Sequence, residues 1–318
     1  MGHKMQVHKQ VQEFNPGRGS VITIGTFDGV HLGHRTILKK VVDEARAKDL
    51  NAVLLTFFPH PRMVVQKQTD LKLLNTLDEK IQLLEVLGVD HLIIQPFTQE
   101  FSRLTAVEYV RDLLIKQLKV KKIIIGYDHR FGRNRTANIE DLKEFGSVYD
   151  FEVEEISAQQ KDAVAISSTK IRKALVSGDV AKANTYLGGA FPLSGIVTHG
   201  QSLGHTIGYP TANFVVEEAY KLTPKQGVYL SSAKIDGQPY FGVTNIGTNP
   251  TVGGVDQRVE THFLELNANL YGRPLQIRLL CRIRDQKIFP DLNALKSAIA
   301  SDIEHARGLI PKFKNGVV

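Results

Sequence analysis

Two periodicities follow one another along this sequence, and the change between them near Gly188 constrains the fold more than any other feature. Before it, continuous apolar runs alternate with segments of helical period. Residues 21–24 (VITI) precede a stretch in which Ile37, Leu38, Val41, Val42 and Ala45 fall on one helical face. Residues 52–58 (AVLLTFF) are apolar throughout, as a parallel strand covered on both faces requires. HLIIQPF and KKIIIGYD continue the pattern. Thr76 with Glu79, and Thr105 with Glu108, have the spacing of capping boxes ahead of two further helices. The alternation predicts an α/β N-terminal half, a doubly wound parallel sheet with right-handed crossovers. Ligands in such sheets bind beyond the carboxyl ends of the strands.

The stretch LGGAFPLSG reads as the boundary, which gives domains 1–187 and 188–318. Beyond it the strands are short and separated by glycine-rich turns: PLSGIVTH, GVYLSSAKI, YFGVTNI, VETHFLEL and LQIRLLCRIR. That spacing predicts a small antiparallel β-barrel, with DLNALKSAIASDIEHARGLI as one closing amphipathic helix. A chain of 318 residues is long enough for both halves to bury a core.

Composition removes some partners. No apolar run approaches the roughly 20 residues that cross a bilayer, so no membrane partner is expected. MGHKMQVHKQ lacks the apolar core of a secretory signal. The one cysteine, Cys281, excludes an intramolecular disulfide, reads as a packed strand residue and fits a reducing cytoplasm, the expected location. The net charge of +7 favours anionic partners, but the 40 basic and 33 acidic residues are dispersed. KVKK at 119–122 reads as a solvated strand entrance. Small phosphorylated ligands explain the charge as well as nucleic acid does, and no nucleic-acid partner is expected. The sequence leaves the oligomeric state open.

Three stretches of the first half fall at strand ends: GTFDGVHLGH (25–34), PHP (59–61) and GYDHRFGR (126–133). In the first, glycines let the backbone approach a ligand, and a helix begins near Leu32 with unpaired N–H groups that favour a phosphate. His31 and His34, three apart, face roughly one side and can donate to phosphate oxygens, more strongly when protonated. The patterns GxxxxGK[ST] and GxGxxG are absent. On spacing alone a phosphate site, an ordinary strand-to-helix turn and a metal site all stay open. ISSTKIR (166–172), after a strand-like AVAIS, opens a second helix with hydroxyls at Ser167, Ser168 and Thr169 and cations at Lys170 and Arg172. It suits a pyrophosphate, or is an ordinary Ser cap with a solvated basic face.

In the second half, VTHGQSLGHTIGYPTANF carries Gly200, Gly204 and Gly208, a spacing that lets a loop wrap phosphates or simply turn between strands. Thr211 and Asn213, two apart, share one face of a strand and offer hard oxygens suited to Mg²⁺, unless they only cap the turn after Pro210. Glu260 shares a face with His262, Leu264 and Leu266, and is either a general base of tuned pKa or a solvated glutamate.

HxGH with ISSTxxR resembles the HIGH-type nucleotidyltransferases, whose fold is Rossmann-like. The fuller set GTFDGVHLGH, TFFPHP, GYDHRFGR and ISSTKIR is similar to the adenylyltransferase module of prokaryotic FAD synthetases. GYPTAN, GVTNIGTNPT, VETHFLEL and RDQKIFPDLNALKSAIASDIEHAR resemble the riboflavin kinase domain that follows it in bifunctional enzymes. The resemblance implies phosphorylation of riboflavin to FMN by the C-terminal domain, with ADP leaving. It implies AMP transfer from ATP to FMN by the N-terminal domain, giving FAD and pyrophosphate. By it, His31 and His34 contact the triphosphate, and Ser167, Ser168, Thr169 and Arg172 hold the distal phosphates. Gly25, Phe27 and Asp28 shape the nucleotide pocket, and His60, Asp128 and Arg130 line the flavin side. Gly200, Gly204, Gly208, Thr211 and Asn213 bind the second ATP, with Mg²⁺ on Thr211 and Asn213, and Glu260 is the catalytic base. Phe58 stands where an acidic residue is frequent in the family, and His129 where Phe is usual. These departures keep two alternatives in view: a chain with one active half, and a non-catalytic flavin- or nucleotide-binding regulator.

Overall fold

The computed structural model describes residues 4–66, 70–126, 129–156, 166–199, 208–251 and 254–314. Strands β1 (Gln6–His8), β2 (Ser20–Ile24), β3 (Asn51–Phe58), β4 (His91–Pro96), β5 (Val120–Ile125) and β6 (Glu152–Glu155) form one sheet in the order β1-β4-β3-β2-β5-β6. All its pairs are parallel. From β2 the chain winds outward through β3 and β4, then returns to build β5 and β6 on the other side, so the winding reverses at β2. Ligand crevices form at such reversals.

The apolar runs are continuous because both faces are covered. Ile22, Ile24, Val53, Leu55, Ile123 and Ile125 pack on one side, against α4 (residues 106–117) and α5 (Ile139–Tyr149). Val21, Ala52, Leu54, Leu92 and Ile124 pack on the other, against α1 (Leu32–Ala47) and α3 (Leu77–Glu85). Successive strand residues point to opposite faces, so each run divides its side chains between the two cores. The expected stripe of α1 is buried at Ile37, Leu38, Val41 and Ala45. Ile37, Leu38 and Val41 each contribute about 1.5–3 kcal/mol relative to exposure. The Thr105 box is formed: its hydroxyl accepts from the Glu108 N–H (3.2 Å), and the Glu108 carboxylate accepts from the Thr105 N–H (2.9 Å).

By Cα proximity the chain divides into Met1–Leu73 with Leu77–Ser167, and Leu74–Thr76 with Ser168–Val318. Helices α6 (Ser168–Ser177) and α7 (Val180–Leu187), which precede the compositional change, are therefore grouped with the barrel. Asn184 of α7 donates to the Leu279 and Leu280 carbonyls (2.8 and 3.1 Å). Gly188, at φ +69°, closes α7 in the left-handed region that glycine adopts freely. The strand expected at AVAIS lies mostly outside the described residues.

The barrel closes as β10-β11-β8-β7-β12-β9, from β7 (Phe191–Thr198), β8 (Ala212–Val215), β9 (Gly227–Ile235), β10 (Gln238–Thr251), β11 (Gly254–Phe263) and β12 (Pro274–Arg284). Every pair is antiparallel. Phe191, Phe214 and Tyr229 are fully buried. Buried hydroxyls satisfy one another along Ser231–Thr244–Thr261, at 2.7 and 2.8 Å. The closing helix α8 (Leu292–Leu309) starts at the Asp291 cap and buries Ile303 and Ala306 with Val228, Leu230, Val243 and Leu280. Arg284 grips Asp302 through two hydrogen bonds (2.8 and 2.7 Å), which ties this helix to β12.

Candidate active sites

β2 ends at Ile24 and the chain leaves the sheet at its point of reversal. The Gly25 N–H donates to the Leu55 carbonyl (3.1 Å). A Cβ at Gly25 would lie 3.1 Å from the Phe27 ring, which would have to shift by a few tenths of an ångström to admit it. Phe27 (φ +45°), Gly29 (+89°) and Val30 (+40°) bend the loop back. Two of these are not glycine, and such strained backbone persists only where surrounding contacts hold it. The Thr26 carbonyl accepts from Thr56 Oγ1 (3.1 Å) and Lys80 Nζ (2.8 Å), and the Val30 carbonyl from Arg35 Nε (3.1 Å). Asp28 is buried within the turn.

His31 caps α1. Its Nδ1 accepts the His34 backbone N–H (3.3 Å), and its carbonyl accepts from the Arg35 N–H (3.0 Å). The two imidazoles stack with centroids 3.6 Å apart and planes 16° from parallel, so both do lie on one side. Phe27 flanks His34 at 4.6 Å. Burial pushes the His31 pKa down to about 4. Burial first, then His31 and Lys80, hold His34 well below the usual histidine range. Both rings are therefore neutral at pH 7, where the sequence had allowed for protonated donors. The cap also fixes a tautomer: His31 Nδ1 accepts, so its proton sits on Nε2 and is available to a ligand. The metal reading of this motif loses its support, because Nδ1 serves the cap. Among the described residues, moreover, no three His, Cys, Asp or Glu side chains gather to hold a metal.

At the end of β3, Phe58 is half-buried against the core that contains Val21 and Leu54. His60 caps the short helix α2 (Pro61–Val65) by accepting the Arg62 N–H on Nδ1 (3.1 Å). His129 is half-buried, its ring parallel to Phe131 at 6.0 Å, and Arg130 is exposed. Asp128 lies outside the described residues. Ser167 precedes α6, Ser168 opens it, and Thr169 and Arg172 follow on its first turns, which Ile171 anchors by burial.

In the barrel, β11 places Glu260 directly between Asn213 of β8 and Asn245 of β10. Partners across a sheet share a face, so one carboxylate and two amides stand in a row. Val259 and Thr261, the neighbours of Glu260 in sequence, are buried to the other side. Burial raises the Glu260 pKa, with Arg258 opposing it. Thr211 lies just before β8 rather than on it, and Asn213 Nδ2 donates back to the Thr211 hydroxyl (3.0 Å) and carbonyl (3.1 Å), which keeps the two side chains together. His262 Nδ1 bonds the Pro210 carbonyl (2.8 Å) and holds the turn ahead of them. Gly208 has φ +86°, where a side chain would be strained, while Gly200 and Gly204 lie outside the described residues. Neutral oxygens beside one carboxylate suit a Mg²⁺ that takes its other ligands from phosphate and water.

Sequence reasoning missed Asn245 and Lys80. Asn245 stood within the quoted GVTNIGTNPT, but only the β10–β11 register aligns it with Glu260. Lys80 sits in DEKIQLLE, where a lysine reads as solvated, yet it is 5% exposed.

Comparison with known proteins gives the class in two parts: a model of the FAD synthetase family matches residues 14–170, and one of the riboflavin kinase family matches 187–310. The bifunctional riboflavin kinase/FMN adenylyltransferase of Escherichia coli (strain K12) is 39% identical over 92% of this chain and 93% of its own. That of Pseudomonas fluorescens is 36% identical over 96% and 98%. A solved structure described as a macrolide-efflux protein from Streptococcus pneumoniae matches with a TM-score of 0.85 at 31% identity, over 95% of this chain and 98% of that one. The chain belongs to the bifunctional riboflavin kinase/FMN adenylyltransferase family. No described helix is long and apolar enough to cross a membrane.

Proposed function

We propose that this chain converts riboflavin to FAD in two ATP-dependent transfers, residues 188–318 making FMN and residues 1–187 adenylylating it. The observation that carries the reading is the succession of the two family matches along one chain. The ligands it implies are riboflavin, FMN, FAD, ATP, ADP and pyrophosphate, and a cytoplasmic setting agrees with the lone cysteine.

In the kinase step Glu260 takes the proton of the ribityl 5′-hydroxyl as that oxygen bonds to the γ-phosphorus and the bond to ADP breaks. Its raised pKa makes it a better base, and Asn245, its cross-strand partner, holds a substrate oxygen in line. Thr211 and Asn213 would hold Mg²⁺, which supplies charge neutralisation on the phosphates. Gly200, Gly204 and Gly208 are assigned to that nucleotide by their motif alone.

In the adenylyl step an FMN phosphate oxygen attacks the α-phosphorus and pyrophosphate departs, with no covalent enzyme intermediate. The His31 Nε2–H and the His34 ring donate to phosphate oxygens as neutral groups, which favours them as the charge moves to the leaving group. Gly25, Phe27 and Asp28 shape the pocket. Ser167, Ser168, Thr169 and Arg172 receive the distal phosphates, and His60, Asp128 and Arg130 the flavin phosphate side. These last assignments rest on their motifs. His129 packs beside Phe131 with ring centroids 6.0 Å apart.

Product chromatography from riboflavin, ATP and Mg²⁺, with oxidised and reduced flavin side by side, is expected to give FMN and then FAD. FMN accumulating without FAD would mean that only the barrel half works. Flavin binding with release of neither ADP nor pyrophosphate would make the chain a regulator.

A further inference from the structure

The adenylyl-transfer reading gives no task to the buried charge of Lys80. Lys80, on α3, is 5% exposed, and its ammonium donates to the Thr26 carbonyl at 2.8 Å. Burial lowers its pKa and the nearby Asp28 carboxylate raises it again. Asp28 is itself 1% exposed. An ammonium sealed into a core is costly, and an apolar residue of similar length would fill the same space. Thr26 is the residue just before the loop that carries Phe27 and Val30 at positive φ. Its carbonyl also accepts from Thr56 Oγ1 at 3.1 Å, a neutral donor. Lys80 also acts electrostatically on His34, against which His31 is stacked. The titratable groups that bear on His34 among the described residues are His31 and Lys80, with Asp28 bearing on Lys80.

We propose that Lys80 is a positioning residue for adenylyl transfer: its ammonium fixes the Thr26 carbonyl in the loop of residues 25–31 and keeps a positive charge near the His34 ring. The inference rests on the adenylyltransferase reading of this site. It assigns no bond-making or proton transfer to Lys80. The hydrogen bond holds the strained turn where the His31 and His34 donors meet the α-phosphate, and the positive charge resists protonation of the ring that must act as a neutral donor.

The test uses the full chain with Lys80→Met, Lys80→Gln, Lys80→Arg and Thr56→Val. FMN adenylylation, riboflavin phosphorylation in the same preparations and NMR titration of ¹⁵N-labelled imidazoles are measured. Lys80→Met is expected to lower kcat for FAD formation about 100-fold, the cost of a misplaced reacting group, with KM for ATP changed less than about 3-fold. Its His34 signal titrates at higher pH than in the parent chain, and riboflavin phosphorylation is unchanged. Lys80→Gln keeps a donor and serves where the methionine variant does not fold; it also shows the raised His34 titration. Lys80→Arg and Thr56→Val are expected to stay within about 10-fold of the parent, because each keeps the charge. Parental kcat in Lys80→Met or Lys80→Gln overturns the proposal, as does an unmoved His34 titration in either. An arginine variant that fails as completely as methionine also overturns it. If the parent chain itself makes no FAD from FMN, the adenylyltransferase reading fails instead, whatever the variants do.

Discussion

In the parallel sheet, β2 delivers its polar groups in the loop beyond its last residue, whereas in the barrel β8 and β11 carry theirs within the strands. A parallel strand here has both faces buried, Val21 to one core and Ile22 to the other, so nothing polar on it can meet a ligand. Function moves to the strand end, and the groups stay contiguous in sequence from Gly25 to His34. An antiparallel barrel strand keeps one face for the interior and one for something else. On β11, Val259 and Thr261 go inward and Glu260 faces away. Its partners Asn213 and Asn245 come from strands far away in sequence and are aligned only by register. One architecture gathers a site along the chain, and the other gathers it across the sheet.

The largest test of that contrast is a pair of substitutions. Glu260→Gln is expected to cut FMN formation at least about 1000-fold, within the range for loss of a general base, while FMN still becomes FAD. His31→Ala is expected to do the reverse. Loss of both activities from either change in folded protein would merge two sites that the comparison keeps apart.

Acid sharpens it next, because the two regions respond with opposite sign. His31 is neutral in the fold down to about pH 4, but in the unfolded chain it protonates near its ordinary 6.5. Between those values the unfolded chain binds more protons, so sheet stability rises with pH there and is lost as pH falls from 6.5 toward 4. The loss from His31 is on the order of 3 kcal/mol, and His34 adds to it in the same direction. Glu260 has its pKa raised in the fold, so its linkage favours the barrel at low pH and is lost as pH rises through the folded value. Thermal unfolding across pH 4–7, read separately by probes in each region, checks both signs. The acid limb of riboflavin phosphorylation should likewise lie above the ordinary glutamate range.

The smallest effect concerns the barrel interior. Thr244→Val removes the middle hydroxyl between Ser231 and Thr261 and leaves the latter without that partner. A destabilisation of about 1–2 kcal/mol in denaturant titration is expected, with little change in either activity. A large loss of kinase activity would show that the interior row and the Glu260 row act as one.

Much of the fold was legible because its signal is local. β3, β5, β9 and β12 were read from apolar runs, and α1 from its stripe. Short β1 and the acidic β6 (EVEE) were not, since edge strands have few apolar residues and read as loop. The adenylyl-side loop was legible for the same reason that its architecture keeps it contiguous. The protonation state of its histidines was not, because burial sets it. Lys80 was illegible because a lysine on a short amphipathic helix has no local mark of being sealed against a carbonyl 54 positions away.

The sequence by itself determined the two periodicities, and with them a parallel sheet followed by an antiparallel barrel. It also determined the motifs that signal phosphate chemistry at the end of β2. Tertiary structure alone decided which residues stand beside Glu260, that His31 and His34 stack as neutral rings, and that a buried ammonium supports the loop beneath them. Periodicity is a property of neighbours along the chain. Register, burial and the field at an imidazole are set by neighbours in space.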